Sequence, residues 1–193
     1  GYVHGEKTLY KSLMQLRAGE MIHIIRGGNH PTVYRYFQYW PTELTEFPNE
    51  KDLIERFGVE LDKTFDSLVE RAGDRQIWLP LSGGLDSRLI LCKLMERNYT
   101  NLKTFTYGIS GNHEMLKAEE ITRSLNIDWT PIESRAKGLA SLYKHPDRIG
   151  YAQYADGLHT LPVYLDYEAI HDLVKLRRKN VDAIVVNGYS GDF

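Results

Sequence analysis

Six consecutive residues, Ser82-Gly83-Gly84-Leu85-Asp86-Ser87, stand between an apolar run and an amphipathic one, and this setting restricts the fold more than any other stretch of the chain. Residues 76–81 have the length and composition of a buried strand that ends at a sharp turn. Residues 87–97 place Leu89, Ile90, Leu94 and Met95 at helical spacing, a stripe widened by Leu91 and Cys92. The six residues therefore fall at a helix N-terminus, where unpaired backbone N–H groups and the positive end of the helix dipole favour an anion. Gly83 and Gly84 carry no Cβ, so the main chain there is expected to adopt unusual φ angles and close on phosphate oxygens. Ser82 and Ser87 add hydroxyl donors. Asp86 would repel phosphate if it acted alone, so its expected role is to hold Mg²⁺, which bridges carboxylate and phosphates. No Gly-x-x-x-x-Gly-Lys-Ser/Thr occurs, so the loop is not the kind that cradles β and γ phosphates for γ-transfer.

Around that loop the chain alternates strand and helix. Strands are expected at 76–81, 102–107, 129–132 and 181–186, helices at 87–97 and 113–125, and a helix-rich stretch at 135–178. Such alternation implies right-handed crossovers and a parallel sheet covered on both faces. Ligands bind such sheets beyond the carboxyl ends of the strands, so the segments 82–87, 107–112 and 187–193 should converge. Upstream, residues 20–26 and 32–40 flank Gly27-Gly28-Asn29 and predict a hairpin. A linker containing Pro41 and Pro48 leads to a helix over about Glu50 to Ala72, with Leu53, Ile54, Phe57, Leu61, Phe65, Leu68 and Val69 at helical spacing. Gly58 should weaken the middle of that helix by about 1 kcal/mol relative to Ala.

Composition narrows the function classes. At 193 residues, with 42% hydrophobic and 26% charged, the chain can bury one good core with a second fragment attached. A formal net charge of −2 and the lack of a basic run argue against nucleic acid as a partner. The single cysteine, Cys92, falls in the apolar stripe and reads as a buried structural thiol; with no second cysteine to pair with, a cytoplasmic protein is expected. No apolar run approaches the about 18 residues of a membrane span. The abrupt ends, Gly1 without an initiator Met and a stop just after an apolar strand, read as those of a fragment.

Residues 81–87 resemble, without mismatch, the Leu-Ser-Gly-Gly-Leu-Asp-Ser of the glutamine-dependent asparagine synthetases, whose loop is the pyrophosphate-binding loop of the ATP pyrophosphatases. Residues 105–109 (Phe-Thr-Tyr-Gly-Ile) are similar to the family strand whose end carries adenine, and Glu114 with Ala118 matches the opening of its next helix. Residues 8–20 followed by Tyr39-Trp40 resemble the closing stretch of the family's glutaminase domain. The resemblance implies an α/β parallel-sheet domain of the adenine-nucleotide α-hydrolase-like (PP-loop) type over 51–193, a linker at 41–50, and over 1–40 a short β-hairpin remnant of an Ntn-type glutaminase domain. It further implies an ATP-dependent amidotransferase that adenylates a carboxylate, aspartate first among them, releases pyrophosphate, and amidates the acyl adenylate with glutamine-derived ammonia. The glutaminase nucleophile, an N-terminal cysteine in the family, is not part of this chain.

Carried onto this chain residue by residue, the resemblance assigns Leu81, Ser82, Gly83, Gly84, Asp86 and Ser87 to ATP and its pyrophosphate, Tyr107, Asn187 and Gly188 to the nucleoside, and Asp86 with Asp192 to catalysis and Mg²⁺. Three positions depart from the family pattern: Tyr189 stands for a glutamate used near the ammonia-attack step, Phe193 for an acidic residue, and Arg88 for a small one. They leave open a divergent relative acting on another carboxylate, as in β-lactam-forming or surface-polysaccharide-modifying enzymes, and a non-catalytic ATP-binding module. No membrane partner is expected, and the hairpin would offer a homodimer an association site.

Overall fold

The computed structural model describes residues 3–28, 30–38, 49–134, 136–158, 160–177 and 182–188. In chain order the elements are β1 (Glu20–His23), β2 (Thr32–Arg35), α1 (Glu50–Ala72), β3 (Gln76–Pro80), α2 (Leu85–Glu96), β4 (Leu102–Gly108), α3 (His113–Leu125), β5 (Trp129–Glu133), α4 (Ala136–Lys144), α5 (Asp147–Tyr154), α6 (Tyr164–Arg177) and β6 (Ala183–Val185). They divide into two compact units, one made of residues 1–46 and 145–164, the other of residues 47–144 and 165–193.

The larger unit is a four-stranded sheet in the order β5-β4-β3-β6 with every pairing parallel. Alternation along β3 divides the core between two faces. Ile77, Leu79 and Leu81 pack with Phe65 and Ala72 of α1, Leu91 and Leu94 of α2 and Ala118 of α3. Trp78 packs on the opposite face with Phe105, Ile132 and, from α6, Ala169 and Leu173. Both faces are thus covered by helices, as the strand–helix alternation requires, and each fully buried aliphatic side chain contributes roughly 1.5–3 kcal/mol.

The face that α2 turns to the sheet is rotated from the expected one. Ser87, Leu91 and Leu94 are buried, an i, i+4, i+7 stripe, whereas Leu89 and Met95 are exposed. Cys92 is exposed as well, so the expectation of a buried thiol is overturned. One residue past Leu91 lies about 100° further round a 3.6-residue helix. Five apolar residues crowd positions 89–92 and 94, so hydrophobicity alone could not choose the face; the sheet chose Leu91 and Leu94.

The solvent side of α2 is joined to α1 by charge. Lys93 Nζ donates to Asp62 Oδ1 at 2.9 Å, Arg97 Nη2 to the Asp62 carbonyl at 2.9 Å, and Arg97 Nε to Asp66 Oδ1 at 2.7 Å. Both cationic side chains are mostly shielded, at 17% and 15% exposure, and the Arg97 guanidinium also lies 5.8 Å from the centre of the Phe65 ring. The first turns of α1 contribute less to the core than their spacing suggests: Leu53, Ile54 and Phe57 are exposed, and burial begins further along the helix, with Phe65 and Ala72 fully enclosed.

In the smaller unit β1 and β2 form the antiparallel hairpin expected from the sequence, shorter than its apolar runs, with Glu20 opposite Arg35. Gly19 precedes it at φ +77°, and its carbonyl accepts from the backbone N–H groups of Tyr36 and Phe37. A Cβ at Gly19 would lie 2.0 Å from the Phe37 carbonyl oxygen, so glycine is required there on two counts. The Leu9 N–H donates to the Leu158 carbonyl at 2.7 Å and the Tyr10 hydroxyl bonds Asp156, which ties residues 9–10 to the segment after α5. The far end of the expected hairpin, with Tyr39-Trp40, and residues 41–48 of the expected 41–50 linker lie outside the described residues, while Asn49 and Glu50 already belong to the start of α1.

Two measurements test these arrangements. Leu91→Ala should destabilise the chain by about 2–5 kcal/mol in chemical denaturation, whereas Cys92→Ala should stay within about 0.5 kcal/mol of the parent; the reverse order would put the wrong face of α2 on the sheet. Glu20 accepts from Arg17 Nε at 2.7 Å, from the Arg17 backbone N–H at 2.9 Å and from Arg35 Nη2 at 3.2 Å. These bonds, the Arg17 side chain foremost, lower its pKa from 4.5 to about 2. A depressed carboxylate pKa stabilises the hairpin fully above the unfolded value and ceases to do so as pH falls through the folded one. A carboxyl titration followed by NMR should therefore place the Glu20 midpoint near 2, with its contribution to hairpin stability lost as pH falls from 4.5 to 2.

Candidate functional site

The helices α1, α2 and α3 are finished differently at their N-termini. Asn49 caps α1, its Oδ1 accepting from the Asp52 N–H at 3.0 Å, and Asn112 caps α3 by accepting from the Met115 N–H at 2.8 Å. Gly84 stands at the cap of α2 and supplies no side chain. The N–H groups of the first turn of α2 thus receive no side-chain cap from Gly84, while Asp86 adds a carboxylate on that turn, where the dipole favours negative charge.

The loop before α2 is held by its own hydroxyls. Ser87 Oγ accepts from the Ser82 N–H at 3.1 Å and lies 3.1 Å from Ser82 Oγ, which in turn accepts from the Gly84 N–H at 3.1 Å. Neither glycine uses a left-handed conformation, contrary to the expectation of unusual φ angles: Gly84 has φ −77° and Gly83 is not among the positive-φ residues. The missing side chain provides room at Gly84 and only ordinary contact distance at Gly83. A Cβ at Gly84 would lie 3.2 Å from Ser82 Oγ, and one at Gly83 would rest on α3, 3.5 Å from Lys117 Cβ.

A cleft of about 290 Å³ opens at the carboxyl ends of the strands, close to the roughly 300 Å³ at which small-molecule sites begin. From β3 and its loop it takes Pro80, Leu81, Ser82, Asp86 and Ser87. From β4 it takes Phe105, Thr106 and Tyr107, from α3 Glu114, and from the end of β6 Asn187 and Gly188. Because β3 leads toward β4 while β6 pairs on its other side, the loops after β3 and β6 diverge at the switch point of the sheet, the usual place for a ligand in a doubly wound fold.

Seven of the residues singled out in the sequence, Leu81, Ser82, Asp86, Ser87, Tyr107, Asn187 and Gly188, meet in this cleft. Gly83 and Gly84 belong to the same loop but do not line the cavity. Asp192, like Tyr189 and Phe193, lies outside the described residues. Among the described residues no group of three or more metal-ligating side chains assembles.

Two residues to which sequence reasoning assigned no role position the cleft. Thr106, buried in β4, donates through Oγ1 to the Leu81 carbonyl at 2.6 Å and accepts from Trp129 Nε1 at 3.0 Å, which fixes the end of β3 from the neighbouring strands. Asp166 of α6 accepts from the Tyr107 hydroxyl at 2.6 Å, so Tyr107 is held at its far end and presents ring and backbone to the cleft. Its ring also stacks on Phe105 at 6.3 Å between centroids. A threonine inside a buried parallel strand was the one available signal for Thr106. The Asp166 contact, from a helix far along the chain, left none.

Gly188 sets the spacing between the two sides of the switch point. A Cβ there would lie 3.1 Å from Asp86 Cβ and 3.3 Å from the Ser87 backbone nitrogen. Gly188→Ala should consequently cost about 1–3 kcal/mol in denaturant titration and shift the Asp86 and Ser87 amide signals in a two-dimensional NMR spectrum. Unchanged amides at 86 and 87 would mean that the β6 end does not rest on α2.

The family model of asparagine synthase matches residues 60–175, from within α1 to within α6. No curated protein matches the chain. Among solved structures, the NH3-dependent NAD synthetase from Campylobacter jejuni in complex with nitrate is similar at 16% identity and a TM-score of 0.46, over 69% of this chain and 56% of that one. The chain thus spans little more than half the length of that enzyme. No helix among the described residues is long and apolar enough to cross a membrane. With its family match covering more than half of its residues and its parallel sheet arranged as in PP-loop domains, this chain belongs to the asparagine synthase family.

Proposed function

We propose that this chain is the ATP-binding portion of an amidotransferase that activates a carboxylate as its acyl adenylate. The observation that carries the reading is the meeting, in one cleft at the switch point, of Ser82, Asp86 and Ser87 on the uncapped N-terminus of α2 with the closely packed Gly188 from the end of β6. Backbone N–H groups of the first turn of α2, from residue 85 onward, and the two serine hydroxyls are suited to the pyrophosphate portion of ATP. Tyr107 from the end of β4, Asn187 and Gly188 from the end of β6, and Leu81 beside the loop are suited to the nucleoside.

The chemistry asked of the site is displacement at the α-phosphorus. A substrate carboxylate oxygen forms the new P–O bond, the bond to the β-phosphate breaks, and pyrophosphate leaves; ammonia then attacks the acyl carbon and AMP departs. The charge that grows on the leaving pyrophosphate is what the loop donors are positioned to take. Mg²⁺ would be held by the hard carboxylate oxygens of Asp86 and, by its place in the sequence, Asp192, and would supply positive charge to offset that on the leaving group. The segment at 1–40 is proposed as the end of a glutaminase domain that supplies ammonia, joined through residues 41–50 to the ATP-binding part from residue 51 onward, in a cytoplasmic enzyme.

Aspartate is the first carboxylate to test. Tyr189 and Phe193, at positions where the family carries acidic residues, favour a second reading in which another carboxylate is adenylated. Pyrophosphate release by the complete natural polypeptide, supplied with Mg²⁺-ATP, glutamine or ammonia, and aspartate against a panel of other acids, separates them. Release that depends on aspartate and is lost in Asp86→Ala supports asparagine formation; release with a different acid supports the second reading. If no acid elicits release, the adenylation proposal falls.

A further inference from the structure

We propose that Arg88 is a positioning residue for the loop, holding its carbonyls back so that its N–H groups and hydroxyls face a bound polyphosphate. The proposal rests on the assignment of the cleft to ATP. Arg88 Nε donates to the Gly84 carbonyl at 2.9 Å and Arg88 Nη2 to the Gly83 carbonyl at 3.2 Å, so one guanidinium ties down two successive carbonyls of the loop. Arg88 does not line the cleft, and it acts on the loop from outside the cavity.

Peptide geometry turns these two bonds into a constraint on the donors. Within a planar trans peptide the carbonyl and the following N–H point in opposite directions. Holding the Gly83 and Gly84 carbonyls therefore also fixes the directions of the Gly84 and Leu85 N–H groups. The Gly84 N–H is directed to Ser82 Oγ, which orients that hydroxyl within the loop. The Gly84 carbonyl, at the N-cap, already accepts the first bond of α2, so the carbonyl that Arg88 most restrains is that of Gly83, which left free could rotate toward the cavity, where its partial negative charge would repel phosphate.

Charge makes the placement of Arg88 harder to explain as a surface accident. A cation in the first turns of a helix is opposed by the helix dipole. No carboxylate among the described residues lies within ion-pair distance of Arg88, whereas Lys93 and Arg97, further along the same helix, are both paired with Asp62. A positive charge beside the proposed pyrophosphate loop is favourable once an anion arrives. The fork geometry is specific to arginine, since an ammonium cannot span two carbonyls with planar donors.

The test compares Mg²⁺-ATP, inorganic pyrophosphate and adenosine binding by calorimetry in the full natural polypeptide and in its Arg88→Ala and Arg88→Lys variants, with circular dichroism on each. Arg88→Ala should weaken ATP and pyrophosphate by at least about tenfold, the loss expected for charge-assisted hydrogen bonds, while adenosine, which does not use the loop, binds as before. Arg88→Lys, with the charge kept and the fork removed, should recover less than half of the loss on a logarithmic scale. Equal ATP affinity in Arg88→Ala, a parallel loss of adenosine, or full recovery with lysine would each overturn the positioning role. Absence of ATP binding in the parent chain would overturn the assignment of the cleft itself, a result distinct from any of these.

Discussion

An α-helix cannot satisfy the N–H groups of its own first turn, and in this chain the use made of that shortfall at α2 governs the arrangement around it. α1 and α3 meet the need with asparagine side chains; α2 begins at a glycine immediately after a central strand. A buried strand must precede it so that the turn falls at the sheet's carboxyl edge, and short side chains must form the loop so that its backbone is reachable. The partner strand β6 then has to bring a glycine against it, because Asp86 and Ser87 are already in contact with that position.

The polar groups within the core do not add much to stability individually, at about 0.5–1.5 kcal/mol net for each hydrogen bond. Their effect is on position. Trp129 through Thr106 to the Leu81 carbonyl is a line of donors running across β5 and β4 to β3, and it ends at the residue where the loop starts. Deleting one member would leave a buried partner unsatisfied, which is more damaging than the bond is stabilising. The same reasoning applies to Tyr107 and Asp166, which bind one wall of the cleft to α6.

How much of this was readable beforehand follows the range of the interactions. The alternation of strands and helices, the parallel sheet and the position of the loop depend on periodicities within about ten residues, and each was legible. The buried face of α2 was not, because residues 89–92 are apolar all round that turn and only the sheet discriminates among them. The conformation of Gly83 and Gly84 was misread for a related reason: glycine signals either freedom in φ or a need for room, and the sequence does not distinguish the two. Asp166 and Thr106 act across 59 and 25 residues respectively, and no local pattern announces either contact.

The Lys93 and Arg97 bonds to α1 have a mechanical side. Sliding α2 along its axis would break three charge-assisted hydrogen bonds at its distal half and pull Leu91 and Leu94 across the sheet. The helix behaves as a strut footed on α1, and force applied at its N-terminal turn is passed to a 23-residue partner. The opposite wall ends a strand of only three residues. The two sides of the cleft are therefore anchored unequally, the α2 side through charge-assisted bonds to α1 and the β6 side through a short strand paired with β3.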